Sequence, residues 1–124
     1  MPKKETINAK PGDMLSPAVR FGNLVFTSGL VGRDAAGKLP PGIAEQARLT
    51  LEKIKTTLEA AGASMDSVLE VSAWLANIDD RPAFNEVYKT YFPANPPART
   101  CIQAGKLGEG VLVEVSCVAG IPGT

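Results

Sequence analysis

The 124-residue chain contains no histidine. That absence excludes a Ser-His-Asp triad, a Cys-His dyad, an HExxH zinc site and a histidine proton shuttle, and with them most hydrolase and metallohydrolase mechanisms. Any catalysis must draw on carboxylates, arginine, hydroxyls, backbone amides and water. An excess of charge is missing too, since 13 Lys plus Arg balance 13 Asp plus Glu. The chain therefore has no electrostatic footprint for nucleic acid or an anionic membrane, and neither is expected as a partner. No run approaches the roughly 18 consecutive apolar residues that span a bilayer, and the opening MPKKETINAK has no apolar stretch behind its lysines. A soluble cytoplasmic protein is the expectation. Only two cysteines occur, Cys101 and Cys117, both inside strand-like runs. In a chain of this size they read as buried reduced thiols rather than as a disulfide framework.

What is present is a clean alternation of hydrophobic periods. NLVFTSGLVG, residues 23–32, is β-branched and bounded by glycine, so it predicts a strand, with a shorter extended piece at 18–21 pairing to it through Gly22-Asn23. After GKLPPG, apolar residues recur at three and four from Ile43 through Ala47, Leu51, Ile54 and Leu58 to Ala61, the spacing of an amphipathic helix. Residues 67–78 return to period two, with Leu69, Val71, Ala73 and Leu75 on one face and Val68, Glu70, Ser72 and Trp74 on the other. Asp79 or Asp80 marks the N-cap of a second helix, with Pro82 in its first turn and Phe84, Val87, Tyr88, Tyr91 and Phe92 on its apolar side. Two further strands, 98–104 and 111–119, close the chain around GKLGEG.

This order implies one domain over residues 1–124, an α+β fold in which two helices cover one face of a single sheet. The other face is too apolar for water yet carries Glu70, Ser72, Trp74, Glu114 and Ser116, so a closed homo-oligomer is expected to bury it. Two charges stand out within the last strands. Arg99 offers a planar fork of donors suited to a carboxylate, and Cys101 shares its face. Glu114 interrupts a valine-rich strand, where desolvation without a partner costs several kcal/mol. Strand order decides whether these two meet, and an interface ion pair is the alternative to a site. GKLGEG lacks the spacing of a phosphate-binding loop and reads as a turn. Gly29, beside Ser28, reads as a bulge or as a place where a ligand nears the backbone. Asn85 reads as a surface residue and Tyr88 as core.

PPARTCIQAGKLGEGVLVEV resembles the C-terminal signature of the reactive intermediate deaminase (RidA/YjgF) family, and the similarity extends through NLVFTSG, the block at 45–80 and FNEVYKTYF. The resemblance implies a chorismate-mutase-like α+β fold and a homotrimer with pockets between subunits. It also implies cofactor-free hydrolysis of small carboxylate-bearing enamines and imines, typified by 2-aminoacrylate, to 2-keto acids and ammonia. On matching positions it implies that Arg99 clamps the substrate carboxylate, Glu114 positions water, and Cys101, Ser28, Gly29 and Asn85 line the pocket. Two departures follow from the same comparison. Ala18 and Leu30 stand where family members often carry a pocket tyrosine and glutamine, which implies a less polar pocket. That departure favours, as an alternative, a ligand-binding or chaperone-like trimer with little catalysis. The neutral charge disfavours a ribonuclease.

Overall fold

A computed structural model describes residues 1–123. In chain order the elements are β1 (Lys4–Ile7), β2 (Ala18–Phe21), β3 (Leu24–Thr27), α1 (Ile43–Ala60), β4 (Val68–Leu75), α2 (Arg81–Tyr91), β5 (Ala98–Gln103) and β6 (Val113–Gly120). The strands form one mixed six-stranded sheet in the order β1-β2-β3-β6-β4-β5. Every pairing is antiparallel except β4 with β5, whose parallel alignment requires the long crossover that α2 supplies. Gly22, at φ 60°, closes the β2–β3 hairpin through the predicted Gly22-Asn23 turn. The expected α+β layer is present, with both helices on one face.

The core lies between that face and the helices. Leu51, Ile54 and Leu58 of α1 and Phe84 of α2 pack against Val25, Val71, Leu75, Val113 and Val115, all at most 1% exposed. Along β6 the period is complete: Val113, Val115, Cys117 and Ala119 are buried and Glu114, Ser116 and Val118 half-buried on the opposite side. β4 departs from the expectation at its start. Leu69 is 53% exposed while Val68 is buried, because a bulge between Val68 and Glu70 adds a residue and reverses the alternation until Val71. The strand β1 has no counterpart in the sequence reading: Lys4, Glu5 and Thr6 are all exposed, so no apolar alternation announces it. Asp80 occupies the N-cap of α2 but makes no side-chain cap bond. The preceding 3₁₀ turn is capped instead by Asn77, whose Oδ1 accepts from the Asp79 N–H at 2.9 Å.

Gln46 ties the layers together. Its amide donates to the carbonyls of Pro40 and Gly110, each at 3.0 Å, and its Oε1 accepts from the Leu112 N–H at 2.9 Å. Only 3% exposed, it fastens the first turn of α1 to the chain entering β6.

Candidate functional site

Strand order settles the first question raised by the sequence. β4 lies between β5 and β6, so Arg99 and Glu114 are not neighbours across a hairpin. Arg99 aligns with buried Val71 and Cys101 with buried Ala73, which puts both side chains on the helix-covered face. Glu114 aligns with Trp74 on the open face. Within one chain the two charges thus point to opposite sides of the sheet, and no ion pair joins them among the described residues.

Each has its own setting. The Arg99 Nη1 donates to Oδ1 of Asn85 at 2.7 Å. Its guanidinium carbon sits 4.7 Å from the centre of the Tyr88 ring and 5.9 Å from that of Phe84. Asn85 and Tyr88 lie one turn apart on α2, so the helix holds the arginine from two adjacent positions. Neither partner is an anion. The positive charge is therefore still available to a ligand, and with one donor engaged the rest of the fork is open to a carboxylate. Cys101, half-buried, shares this face. Burial pushes the Tyr88 phenol above its ordinary value, against an opposing effect of Arg99.

On the open face the β3 chain leaves its partner. The Cys117 N–H donates to Thr27 Oγ1 at 3.0 Å rather than to a backbone carbonyl, and the ladder resumes only where Leu30 and Val115 exchange bonds at 2.8 and 3.1 Å. Ser28 and Gly29 form the detour between. Ser28 is pinned by two bonds, its Oγ donating to the Ser16 carbonyl at 2.6 Å and its N–H to the Pro17 carbonyl at 2.9 Å. Gly29 faces Glu114 so closely that a Cβ there would overlap the Glu114 carboxylate. The bulge reading of Gly29 holds, and the space its missing side chain leaves is taken by the Glu114 carboxylate. The structure thus gathers the named residues into two groups, Arg99, Asn85 and Cys101 on the covered face and Ser28, Gly29 and Glu114 on the open one. Asn85 supports Arg99 rather than standing alone as a surface residue. Tyr88, read from the sequence as core only, joins the first group. Its signal was the three-residue spacing from Asn85, which carries meaning only once Arg99 is known to lie above it.

Cys101 and Cys117 are free, separated by β4, and burial raises the Cys117 thiol to about 11. Among the described residues no three His, Cys, Asp or Glu side chains gather as a metal site. No helix among the described residues is long and apolar enough to cross a membrane.

The model of the family described as Endoribonuclease L-PSP matches residues 6–121. The chain belongs to the RidA/YjgF family. It is 38% identical over 106 residues to the 2-iminobutanoate/2-iminopropanoate deaminase of Rattus norvegicus, covering 84% of this chain and 77% of that protein. It is 39% identical over 111 residues to the mitochondrial protein mmf2 of Schizosaccharomyces pombe, covering 87% and 88% of the two chains. Among solved structures, Escherichia coli TdcF with bound serine superposes with a TM-score of 0.85 at 31% identity, over 94% of this chain and 98% of that one.

Of the two departures from the RidA/YjgF pattern, Ala18 is fully buried, aligned in the sheet with Ile7 and Thr27, and Leu30 is 6% exposed against the core. Both are apolar side chains packed inside the chain, so neither supplies a polar group to a pocket.

Proposed function

We propose that this protein hydrolyses small 2-imino acids and their enamine tautomers, such as 2-aminoacrylate, to 2-keto acids and ammonia in pockets formed between copies of the chain. The observation that carries the reading is the pairing of Arg99 with neutral partners only, which leaves a cation prepared for a ligand carboxylate. A deaminase among the close relatives and a relative's structure with bound serine, a small amino acid, support the substrate class. Because Arg99 and Glu114 occupy opposite faces of one sheet, a pocket containing both takes Arg99 from one copy and Glu114 from its neighbour. The open sheet face, with Phe21, Leu24 and Phe26 between 37% and 51% exposed, supports a homotrimer as the assembly.

The chemistry needs no cofactor. Arg99 holds the substrate carboxylate and Glu114 takes a proton from water as its oxygen bonds to the imine carbon, the C=N electron pair moving to nitrogen. Nitrogen takes that proton back from Glu114 to give the carbinolamine, whose hydroxyl proton then passes to nitrogen through Glu114 as the C=O bond forms and the C–N bond breaks, releasing ammonia. A positioned general base contributes about 10² to 10⁴ in rate. Gly29 leaves the space that the Glu114 carboxylate occupies, Ser28 lines the same side of the pocket, and Cys101 borders the substrate carboxylate. The balanced net charge and lack of histidine weigh against RNA cleavage, the activity in the family's description. The free thiols support the cytosol as its compartment, with the fission yeast relative a mitochondrial counterpart. We take residues 1–124 as one such domain.

The test generates an imine in the cuvette from an amino acid and follows keto-acid release above the spontaneous rate. Arg99→Ala is expected to raise KM roughly 10- to 100-fold, the loss of a charge-assisted bidentate contact. Glu114→Ala is expected to lower kcat by about 10² or more. In assays well below the wild-type KM, where both variants are impaired, dissociating and mixing them in equal amounts should restore about a quarter of wild-type activity, since that fraction of sites between copies carries both native side chains. No recovery on mixing, with hetero-oligomers formed, would place Arg99 and Glu114 in separate sites and sink the reading.

A further inference from the structure

Tyr88 carries a buried hydroxyl that has no hydrogen-bond partner among the described residues. The residue is 9% exposed, so water does not compensate the loss, and an unmade bond to a buried hydroxyl is a cost. Tyr91, on the same helix, shows what a paired phenol looks like: its hydroxyl donates to Glu52 at 2.6 Å. What keeps Tyr88 where it is must then be its ring. That ring is the middle rung of an aromatic ladder along α2, with centroids 5.7 Å from Phe84 and 4.7 Å from Phe92. Both neighbours are buried, so the ring is clamped. Over its face lies the Arg99 guanidinium, 4.7 Å from the centroid and within the range of a cation–π contact.

We propose that Tyr88 is a positioning residue whose ring serves as the platform on which Arg99 is held for its ligand. The proposal rests on Arg99 being the carboxylate clamp. A single bond to Asn85 fixes one nitrogen and leaves the guanidinium free to swing about it; a fixed ring beneath removes that freedom. A carboxylate in the same place would hold the arginine equally well but would neutralise it. The ring holds it and leaves the charge for the substrate.

The experiment compares wild type, Tyr88→Leu and Tyr88→Phe in imine hydrolysis and, independently of turnover, in calorimetric binding of pyruvate, a 2-keto acid product. Tyr88→Leu is expected to raise KM and the pyruvate Kd about tenfold with kcat within about threefold of wild type. Tyr88→Phe, which keeps the platform and deletes the unpaired hydroxyl, should bring KM and Kd back to within about threefold of wild type without lowering Tm. If Tyr88→Leu does not fold, Tyr88→Met fills the space without a π face and takes its place. A folded Leu or Met variant with wild-type KM and Kd overturns the platform, as does a Phe variant as weak as Leu, which would give the role to the hydroxyl. Wild type that neither binds pyruvate nor hydrolyses imines overturns the clamp itself, and is distinguished from those results because it precedes any substitution.

Discussion

The two faces of β6 are built from alternate residues of the same eight, yet they have opposite characters. On one, Val113, Val115, Cys117 and Ala119 are at most 4% exposed beneath the helices. On the other, Glu114, Ser116 and Val118 sit half-buried among exposed Phe26 and half-buried Trp74, with no helix over them among the described residues. The covered face is finished by its own chain except at its edge, where Arg99 retains open donors. The open face is unfinished throughout. The cation lies on one side and the carboxylate on the other, with an uncovered apolar surface between, an arrangement that fits the proposed completion by a second copy of the chain.

Two substitutions separate these faces. Phe26→Asp puts an unpaired charge on the open face, which costs nothing in an exposed position but several kcal/mol if another copy covers it. The expected result is a shift of the sedimentation profile to monomer, with the far-ultraviolet circular dichroism of the fold retained. Leu51→Ala, in the covered core, should cost about 2–5 kcal/mol of unfolding free energy in urea. An unchanged oligomer in Phe26→Asp would show that Phe26 stays in solvent.

The covered face was legible in the sequence because burial imposes a period. α1, predicted to run from Ile43 to Ala61, ends at Ala60, and α2 with its aromatic side follows the prolines around it. Where burial is absent the signal fails: β1 is exposed along nearly its whole length, and the bulge at Leu69 breaks an alternation that the letters alone continue. Arg99 and Glu114 could be picked out as charges in unlikely places, but their relation could not, because it depends on β4 entering between β5 and β6. Asn85 and Tyr88 illustrate the same limit. Nothing in NEVY says that an arginine 11 residues beyond Tyr88 will lie over both.

The covered face also sets an alkaline limit. Burial raises the Cys117 thiol from an ordinary value of 9.0 to about 11, so the folded chain retains a proton that the unfolded chain gives up. Between these values the folded state binds more protons, and stability falls as pH rises. At about 1.4 kcal/mol per pH unit the loss amounts to roughly 2–3 kcal/mol by pH 11. Tyr91, held up to about 12 mainly by burial, adds a loss of its own above pH 10, so the interval from pH 9 to 10 isolates the thiol. Urea unfolding across that interval should show a declining free energy for wild type and a flatter one for Cys117→Ala. Parallel slopes would mean that the thiol titrates alike in both states.

The smallest expected effect on stability tests the open face most directly. Gly29 and Gly32 lie three residues apart, and a Cβ at either meets an obstacle, but not of the same kind. At Gly32 it would strike the backbone of Leu49 and Thr50 in α1, which cannot give way. At Gly29 it would strike the far end of the flexible Glu114 side chain, which can shift. The backbone there needs no left-handed conformation, so Gly29→Ala should leave the unfolding free energy within about 0.5 kcal/mol of wild type. In the proposed reaction, however, moving the carboxylate takes the general base away from the attacking water, and a displacement of about 1 Å at a reacting group can cost on the order of 10²-fold in rate. The expected signature is therefore a kcat lowered roughly 10- to 100-fold with KM nearly unchanged, since Arg99 and its supports lie on the other face. Should Gly29→Ala turn over imines as fast as wild type while remaining folded, Glu114 would not be the group that handles water.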